Sequence, residues 1–431
     1  MQTLIKKISS DHIGQTVTLQ WWIQNTRSSG KLCFIELRDG SGYIQCVSEI
    51  NSLGEEKFRE LESCGQESSL SISWIISKHP KKEEFELQVS DYSIYTKSND
   101  YPLGTKDDHG PEFLFDHRHL YLRSKTQSAI QKIRDTIIQS TYIWMRDNDF
   151  TKIDSPIFTP SACEGTTELY EVEHVNGEKL YLSQSGQLYL EATIAAVGRC
   201  YDFGPVFRAE HCKTRRHMNE FWMMDAELPF AQQEENMQAQ EQLVQFIIDE
   251  VLLRNRKELE LCGANIEALE AIQLPYKRIT HADRCKELAN MWFEIPEDGD
   301  IGSDLEMQYC QKITQPVFIT NFPVWQKAFY FKEDPKLPWT VLGADLLAPG
   351  DNGEIIWWGT REDNYEKLLA AIKHHNLPEE EFSRYLDTRT FGGIPHAGFG
   401  YGLERIVRRV CDIHHIRETI PFPRYNNRIR P

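Results

Sequence analysis

Alternating apolar and polar positions over about the first hundred residues predict a small unit built from short strands. The Asp-Gly-Ser-Gly of residues 39–42 is a hairpin signal between the second and third strands. A helical pattern over residues 55–64 separates the third strand from the fourth. The predicted strands are residues 17–23, 32–37, 43–47, 70–76 and 85–94.

Five strands with one interposed helix are typical of an OB-type β-barrel, a fold that often binds single-stranded nucleic acid or oligosaccharide. A β-sandwich and an SH3-like barrel fit the same pattern and stay as alternatives. Proline and glycine then punctuate the chain, which indicates a hinge. We therefore predict an N-terminal OB-type domain over residues 1–98 and a hinge over residues 99–124.

The pattern changes after the hinge to long helices mixed with short strands. Amphipathic spacing predicts helices over residues 127–148 and 232–259, and a last helix begins near Gly402. Strands that follow one another without regular crossover helices indicate a mostly antiparallel sheet flanked by helices, so residues 125–431 are predicted to be an α+β domain. Its predicted strands are residues 150–157, 179–183, 200–209, 220–227, 317–322, 339–347 and 354–360.

Composition and charge exclude some classes of protein. A formal net charge of −17 argues against indiscriminate binding to polyanions, although basic clusters at residues 213–217 and 424–430 allow a local nucleic-acid contact. No apolar run spans a bilayer and no secretory signal follows Met1. The ten cysteines are scattered without a Cys-x-x-Cys pair, so we expect reduced thiols in a cytoplasmic protein rather than zinc or disulfides.

Two separated arginines suggest one triphosphate site. Arg208 lies in a Phe-Arg-Ala-Glu sequence at the end of a predicted strand, and Arg405 lies in the first turn of the last helix. Arginine keeps its charge, and its planar fork fits phosphate and carboxylate oxygens bidentately. Glu210 shares a strand face with Arg208, and Phe221 on the returning strand is suited to stack on a purine. The alternatives are a cross-strand ion pair and an ordinary surface arginine.

Two carboxylates and a run of glycines extend this hypothesis. Asp345 and Glu354 flank a Gly-containing turn, and a hairpin there brings them together as Mg²⁺ ligands beside phosphate. A solvated carboxylate pair is the alternative. Alternating glycines over residues 398–402 remove side chains from one strand face, which permits close approach of a ligand or backbone.

These elements together resemble the class II aminoacyl-tRNA synthetases, specifically the aspartate and asparagine subclass, over essentially the whole chain. The strand at Pro156 is similar to the first, dimer-forming motif of that class, residues 204–223 to the second, and residues 395–405 to the third. Residues 162–167 resemble the loop that closes on the amino acid, and residues 183–188 resemble the strand that reads its amino group. The resemblance implies a homodimer.

The resemblance also implies a set of site residues and the cofactors ATP and Mg²⁺. Residues implied to bind ATP are Arg208, Glu210, His217, Phe221, Glu354, Gly402 and Arg405, with the two arginines catalytic. Residues implied to bind the amino acid are Glu164, Ser185, Gln187, Asp225 and Arg361. The implied Mg²⁺ ligands are Asp345 and Glu354. The implied anticodon-reading residues are Arg27, Lys31, Phe34, Gln45 and Glu86.

Details favour the asparagine members of the subclass. Residues 221–223 and 420–424 are similar to those members, and Leu190 stands where aspartate enzymes carry a lysine for the substrate carboxylate. The implied reaction is activation of L-asparagine by ATP and transfer to tRNA(Asn). Phe34 would stack on an anticodon base. The alternative is that Phe34 is an ordinary residue of the barrel core.

Three positions depart from the family pattern. Trp357 and Trp358 replace two glycines, and Asp225 replaces a glutamate that is one methylene longer. Two alternatives therefore stay open: activation of an amino acid for an acceptor other than tRNA, and a non-catalytic RNA-binding protein. The barrel favours tRNA over the first alternative, and retention of both arginines and both carboxylates disfavours the second.

Overall fold

The computed structural model describes residues 4–78, 85–104, 109–160, 163, 169–211, 214–296 and 299–431. The chain divides into two compact units, Met1–Tyr121 and Leu122–Pro431. Two short helices lie within the segment predicted to be a hinge. Among the helices described in these ranges, none is long and apolar enough to cross a membrane.

The first unit is a closed barrel with strand order β1-β2-β3-β5-β4. The third and fifth strands pair in parallel, and a helix lies between the third and fourth strands. This closed arrangement confirms the OB-type prediction and excludes the open sandwich. The elements are β1 Thr16–Ser29, β2 Leu32–Arg38, β3 Tyr43–Glu49, α1 Ile50–Leu53, α2 Glu55–Glu62, β4 Ser69–Lys78, β5 Phe85–Thr96, α3 Pro111–Asp116 and α4 Arg118–Tyr121.

The barrel core follows directly from the alternation of side chains. Cys33, Ile35 and Leu37 on β2 are fully buried, whereas the intervening Phe34 and Glu36 are only half-buried. Successive side chains of a strand point to opposite faces, so one face of β2 packs inward and the other faces outward. Phe34 therefore lies outside the core, and its interpretation as barrel core is wrong.

The second unit is built on an eight-stranded sheet with order β12-β13-β14-β15-β16-β11-β10-β6, beside a three-stranded sheet with order β7-β9-β8. In the large sheet only the two outermost pairs are parallel, which confirms the mostly antiparallel prediction. The strands are β6 Thr151–Lys152, β7 Phe158–Thr159, β8 Glu171–Glu173, β9 Lys179–Leu182, β10 Cys200–Phe207, β11 Glu220–Pro229, β12 Lys277–Thr280, β13 Val317–Thr320, β14 Gly343–Ala348, β15 Gly353–Thr360 and β16 His396–Gly402.

Helices flank this sheet and supply its main core. Apolar side chains of the long helices, such as Ile137 and Ile247, share one buried cluster with Ile356 and Phe399 of the sheet and Val407 of the last helix. The helices are α5 Lys125–Asp147, α6 Gln187–Val197, α7 Gln233–Arg254, α8 Arg256–Cys262, α9 Ile266–Glu270, α10 His281–Asn290, α11 Ser303–Cys310, α12 Tyr365–His374, α13 Ser383–Thr390 and α14 Leu403–Val410.

Three predicted elements are shorter than expected. The strand predicted over residues 150–157 forms a ladder only at β6, and Pro156 in its later half has no N–H to donate. The helix predicted over residues 232–259 is interrupted at Asn255, between α7 and α8. The strand predicted over residues 339–347 begins only at Gly343, and Trp339 has a φ of 67°, which a strand does not accommodate.

Two glycines of the central hairpin make room for an aromatic side chain. Gly343 and Gly359 lie opposite each other on β14 and β15, and the ring of Phe331 lies against both. A Cβ at Gly359 would lie 2.2 Å from a ring atom of Phe331, and one at Gly343 would lie 2.6 Å from the ring. The glycines are therefore required by packing.

We expect Gly359→Ala to lower the free energy of unfolding by about 1–3 kcal/mol, because the buried Phe331 ring must move away from the new methyl group. Chemical denaturation followed by far-UV circular dichroism measures this change. Gly204→Ala is the matched control, since Gly204 lies in β10 of the same sheet and a Cβ there meets nothing within 4 Å. Equal stability of the two variants would contradict the packing explanation.

Candidate active site

A cavity of about 400 Å³ opens in the second unit. Its walls come from the β10–β11 hairpin, the segment 325–331, β15, and the junction of β16 with α14. The structure brings to this one cavity all the residues predicted to bind ATP. They are Arg208, Glu210, His217, Phe221, Glu354, Gly402 and Arg405.

The two arginine elements meet because their strands are neighbours. β11 returns from the Arg208 hairpin and pairs with β16, with Met223 opposite Gly402. Glu404, in the first turn of α14, accepts a hydrogen bond from the backbone N–H of Trp222 (3.0 Å). The strand ladder and this carboxylate therefore fix the last helix against the hairpin.

Arg208 is held by aromatic rings rather than by a carboxylate. Its guanidinium carbon lies 5.5 Å from the centroid of the Phe221 ring and 5.5 Å from that of the Trp357 ring. Its Nε and Nη2 are buried and form no hydrogen bond within the described part of the chain. Arg208 lines the cavity, and a buried cation whose N–H groups have no acceptor among the described residues is suited to bind an anion.

Arg405 is held in a different way, by Glu354. Its Nη1 donates to the backbone carbonyl oxygen of Glu354 (3.0 Å) and to the side-chain Oε1 (2.9 Å). Burial tends to raise the pKa of Glu354, but the charges of Arg405 and Lys327 outweigh burial and lower it. Glu354 is therefore an ionised carboxylate between two cations.

His217 is uncharged at neutral pH. Burial, followed by the nearby charges of Arg405 and Arg216, lowers its pKa to about 4. Its Nδ1 is hydrogen-bonded to the hydroxyl of Thr214. A neutral imidazole in this position serves as a hydrogen-bonding group and adds no positive charge to the cavity.

The predicted hairpin of Asp345 and Glu354 forms, and a bulge brings its carboxylates together. The register shifts between Leu346 and Leu347, so Glu354 lies opposite Leu347 on the face that also carries Asp345. Burial raises the pKa of Asp345, the charge of Lys327 opposes this rise and the charge of Glu354 adds to it, so that the resulting pKa is about 6. In the described residues no group of three or more His, Cys, Asp or Glu could hold a metal ion, so this is a pair only.

Lys327 is a site residue that the sequence reasoning missed. Its Nζ donates to Asp345 (2.6 Å) and lies 4.0 Å from the centroid of the Phe322 ring, and the residue lines the cavity. A single lysine within the largely apolar segment 324–331 is the sequence signal that could have identified it.

Ser185, in the loop between β9 and α6, lies against Asp225 of β11. The hydroxyl of Ser185 donates to Asp225 Oδ2 (2.7 Å), and the backbone N–H of Gly186 donates to the same oxygen (3.0 Å). Burial, and then the charge of Asp202, raise the pKa of Asp225 to about 7. Gly400 lies opposite Asp225, and a Cβ there would be 2.3 Å from Oδ1. The glycines of β16 thus make room for the carboxylates of β11.

Arg361 and Gln187 belong to a buried ionic network. Arg361 donates to Glu227 Oε1 through Nη2 (2.6 Å) and Nε (3.1 Å), while its Nη1 is buried without a hydrogen bond inside the described ranges. Gln187 Nε2 donates to Glu191 Oε1 (3.0 Å). Glu191 Oε2 also accepts from Arg389 (2.6 Å).

Sequence reasoning missed Glu191, Glu227 and Arg389. Glu191 and Arg389 are 198 residues apart, and no local pattern marks such a pair. Burial opposes ionisation of Glu191, but Arg389 first and then His396 hold its pKa well below the usual range. Glu164, the remaining predicted amino-acid-binding residue, lies outside the described residues.

The residues predicted to read an anticodon form a patch on the outer face of the barrel. Arg27 lies opposite Phe34, and its Nη2 is 3.5 Å from Gln45 Oε1. Gln45 in turn donates to Glu86 (3.1 Å). The structure therefore brings Arg27, Phe34, Gln45 and Glu86 together, and Lys31 is exposed near the turn between β1 and β2.

Two family models match different parts of the chain. A model of the family "tRNA synthetases class II (D, K and N)" matches residues 110–426, and a model of the "OB-fold nucleic acid binding domain" matches residues 17–95. The asparagine–tRNA ligase of Pelotomaculum thermopropionicum is 45% identical over 432 residues, covering 100% of both chains. That of Desulforamulus reducens is 45% identical over 430 residues, covering 100% of this chain and 99% of the relative.

Two solved structures of asparaginyl-tRNA synthetases have a similar fold. The asparaginyl-tRNA synthetase of Pyrococcus horikoshii complexed with asparaginyl-adenylate has a TM-score of 0.96 at 32% identity, covering 100% of both chains. The Entamoeba histolytica enzyme complexed with asparaginyl-adenylate has a TM-score of 0.88 at 32% identity, covering 97% of each chain. The fold, the site and these comparisons show that the chain belongs to the class II tRNA synthetases of the aspartate, lysine and asparagine group.

Proposed function

We propose that the chain is an asparagine–tRNA ligase, which activates L-asparagine with ATP and transfers it to the 3′ end of tRNA(Asn). The observation that carries the proposal is the Arg208 guanidinium, which lines the cavity and has two buried nitrogens that form no hydrogen bond with the described residues. The relatives of similar length are asparagine–tRNA ligases, and two similar structures hold asparaginyl-adenylate.

The first step is in-line attack of a carboxylate oxygen of asparagine on the α-phosphorus of ATP. A phosphorus–oxygen bond to the amino acid forms, the bond to the β-phosphate bridge breaks, and pyrophosphate leaves with the electron pair. No covalent intermediate with the enzyme is needed, so catalysis consists of positioning and charge stabilisation. The terminal hydroxyl of the tRNA then attacks the activated carbonyl and releases AMP.

Each of the cavity residues has its own proposed role in this reaction. Arg208 bridges the α-phosphate and the attacking carboxylate, and Arg405 binds the γ-phosphate at the departing end. His217, neutral because of its pKa of about 4, contributes a hydrogen bond there. Glu210 recognises the exocyclic amine of adenine, and Phe221 with Arg405 encloses the ring.

Asp345 and Glu354 are proposed to hold Mg²⁺ together with the phosphates of ATP. Mg²⁺ usually keeps one or two carboxylates as protein ligands and takes its other ligands from phosphate and water. Buried Asp345 and half-buried Glu354 fit this preference, because Glu354 raises the pKa of Asp345 and a divalent cation would relieve that repulsion. The ion would neutralise charge on the phosphates.

The amino-acid side chain is proposed to lie between Asp225 and Arg361. Its amide offers an N–H donor for Asp225 and a carbonyl acceptor for the buried Nη1 of Arg361. An aspartate substrate would instead place a carboxylate against Asp225. Glu164, Ser185 and Gln187 are proposed to bind the α-amino group.

The proposal also includes tRNA as the acceptor, a homodimer as the oligomeric state and the cytoplasm as the location. The outer-face patch around Phe34 supports anticodon binding, because a half-buried aromatic ring beside Arg27 suits base stacking. Ile157 and Phe158, next to the predicted dimer motif, are 43% and 54% exposed, which supports a homodimer. The free cysteines of the described residues fit the reducing cytoplasm.

The proposed reaction predicts ATP–pyrophosphate exchange that depends on asparagine, and charging of tRNA(Asn). Both are measured with radiolabelled substrates, with aspartate tested in parallel. Exchange without charging would favour activation for another acceptor, an alternative motivated by Trp357 and Asp225. No exchange with either amino acid would contradict the proposal.

Arg208→Ala is expected to lower the exchange rate by roughly 100-fold or more, because it removes charge stabilisation at the reacting phosphorus. Circular dichroism should show an intact fold, since Arg208 contacts aromatic rings and forms no ion pair within the described residues, and Glu354 keeps Arg405 as its partner. Arg199→Ala is the matched control, because Arg199 is exposed and donates to the backbone carbonyl of Asn148 (3.2 Å). Normal exchange by the Arg208 variant would refute the mechanism.

Discrimination between asparagine and aspartate should depend on pH. The pKa of Asp225 is raised to about 7, so the group is ionised above that pH and neutral below it. An ionised Asp225 accepts from the asparagine amide and repels aspartate, so the asparagine preference should fall as pH decreases from 8 to 6. The measurement is the ratio of kcat/KM for the two amino acids in the exchange assay. Asp225→Asn should flatten this pH profile, and an unchanged profile would exclude Asp225 as the discriminating group.

A further inference from the structure

Trp357 lies on the floor of the cavity, where it contacts Arg208. It is placed on β15 opposite Asp345 on one side and Gly400 on the other. A Cβ at Gly400 would lie 3.3 and 3.4 Å from Cζ2 and Cη2 of the indole, so the ring lies over the glycine strand. Its neighbour Trp358 is fully buried in the main core, as strand alternation requires. The two tryptophans therefore have different surroundings.

Arginines of this site are held in two different ways. Glu354 binds the edge of the Arg405 guanidinium, and Glu227 binds the edge of Arg361. A carboxylate at the edge occupies the N–H groups that a phosphate would use. Phe221 and Trp357 instead lie near the guanidinium of Arg208, each with its ring centroid 5.5 Å from Cζ. Rings attract a guanidinium through their π-faces and take none of its hydrogen bonds.

We propose that Trp357 is a positioning residue for the reaction. It holds the guanidinium of Arg208 by cation–π contact, together with Phe221, so that the guanidinium, whose Nε and Nη2 form no hydrogen bond with the described residues, can bind an anionic substrate group. The inference deepens the proposed function, on which the assignment of Arg208 to the α-phosphate rests. It also gives a role to Trp357, which stands where the family pattern has a glycine.

The test compares Trp357→Phe with Trp357→Leu. Phenylalanine keeps an aromatic face and leucine keeps apolar bulk without one. The dissociation constant for Mg-ATP is measured by calorimetry, and KM for ATP and kcat are measured by pyrophosphate exchange. We expect the leucine variant to bind ATP roughly 3- to 10-fold more weakly, which is the range of a partly desolvated cation–π contact. We expect the phenylalanine variant to stay within about twofold of the wild type.

A double-mutant cycle separates positioning of Arg208 from a general packing effect. In an Arg208→Ala background, Trp357→Leu should weaken ATP binding no further, because the cation that the indole holds is gone. Trp292→Leu is the control for loss of a tryptophan, since Trp292 is 95% exposed. Trp357→Met replaces the leucine variant if thermal unfolding shows that the latter does not fold.

Every result of these binding measurements either supports or overturns the proposed role of Trp357. Wild-type binding by the leucine variant, equal losses in the phenylalanine and leucine variants, or an undiminished loss in the Arg208→Ala background would overturn it. ATP binding needs no amino acid, so the cycle can be completed even if asparagine supports no exchange. Failure of the proposed function would appear as ATP binding without asparagine-dependent exchange, with the coupling between Trp357 and Arg208 intact.

Discussion

The pairing of β11 with β16 is the constraint on which the site depends. β11 continues the hairpin that carries Arg208, and β16 leads into the helix that carries Arg405. Buried carboxylates on β11 face glycines on β16, and a Cβ at Gly398 would lie 2.0 Å from Glu227 Oε1. Any larger residue there would push the two strands apart or displace the carboxylate. One strand ladder therefore unites both arginines and the acidic wall beside them.

Burying so many charges beside one another is costly unless each charge has a partner. Arg361, Arg389, Glu191 and Glu227 form ion pairs with one another in a network that lies beside the proposed amino-acid position. Arg405 and Lys327 pair with Glu354 and Asp345 in the same way. Arg208 differs, because its partners are aromatic rings, and it keeps the hydrogen-bonding capacity that a substrate can use.

Much of the site could be predicted from the chain because its residues lie in recognisable local sequences. The Phe-Arg-Ala-Glu hairpin, the carboxylates around the β14–β15 turn and the glycine strand each have a spacing that indicates a shared face. Glu191, Glu227 and Arg389 could not be found this way. Their partners are distant in sequence, and an isolated glutamate or arginine is usually a surface residue. The position of Phe34 could not be predicted from the sequence either, because only the closed barrel decides which face of β2 points inward.

The sequence by itself determined the two-part architecture, the kinds of element and several of the residues that meet in the cavity, because periodicity and local motifs act over short stretches of chain. The tertiary structure decided what those residues contact. It placed Trp358 in the core and Trp357 against Arg208, paired Arg361 with Glu227, and left Asp225 with a pKa of about 7. These outcomes depend on burial and on the distance between charges, and both are set only when remote strands come together in one sheet.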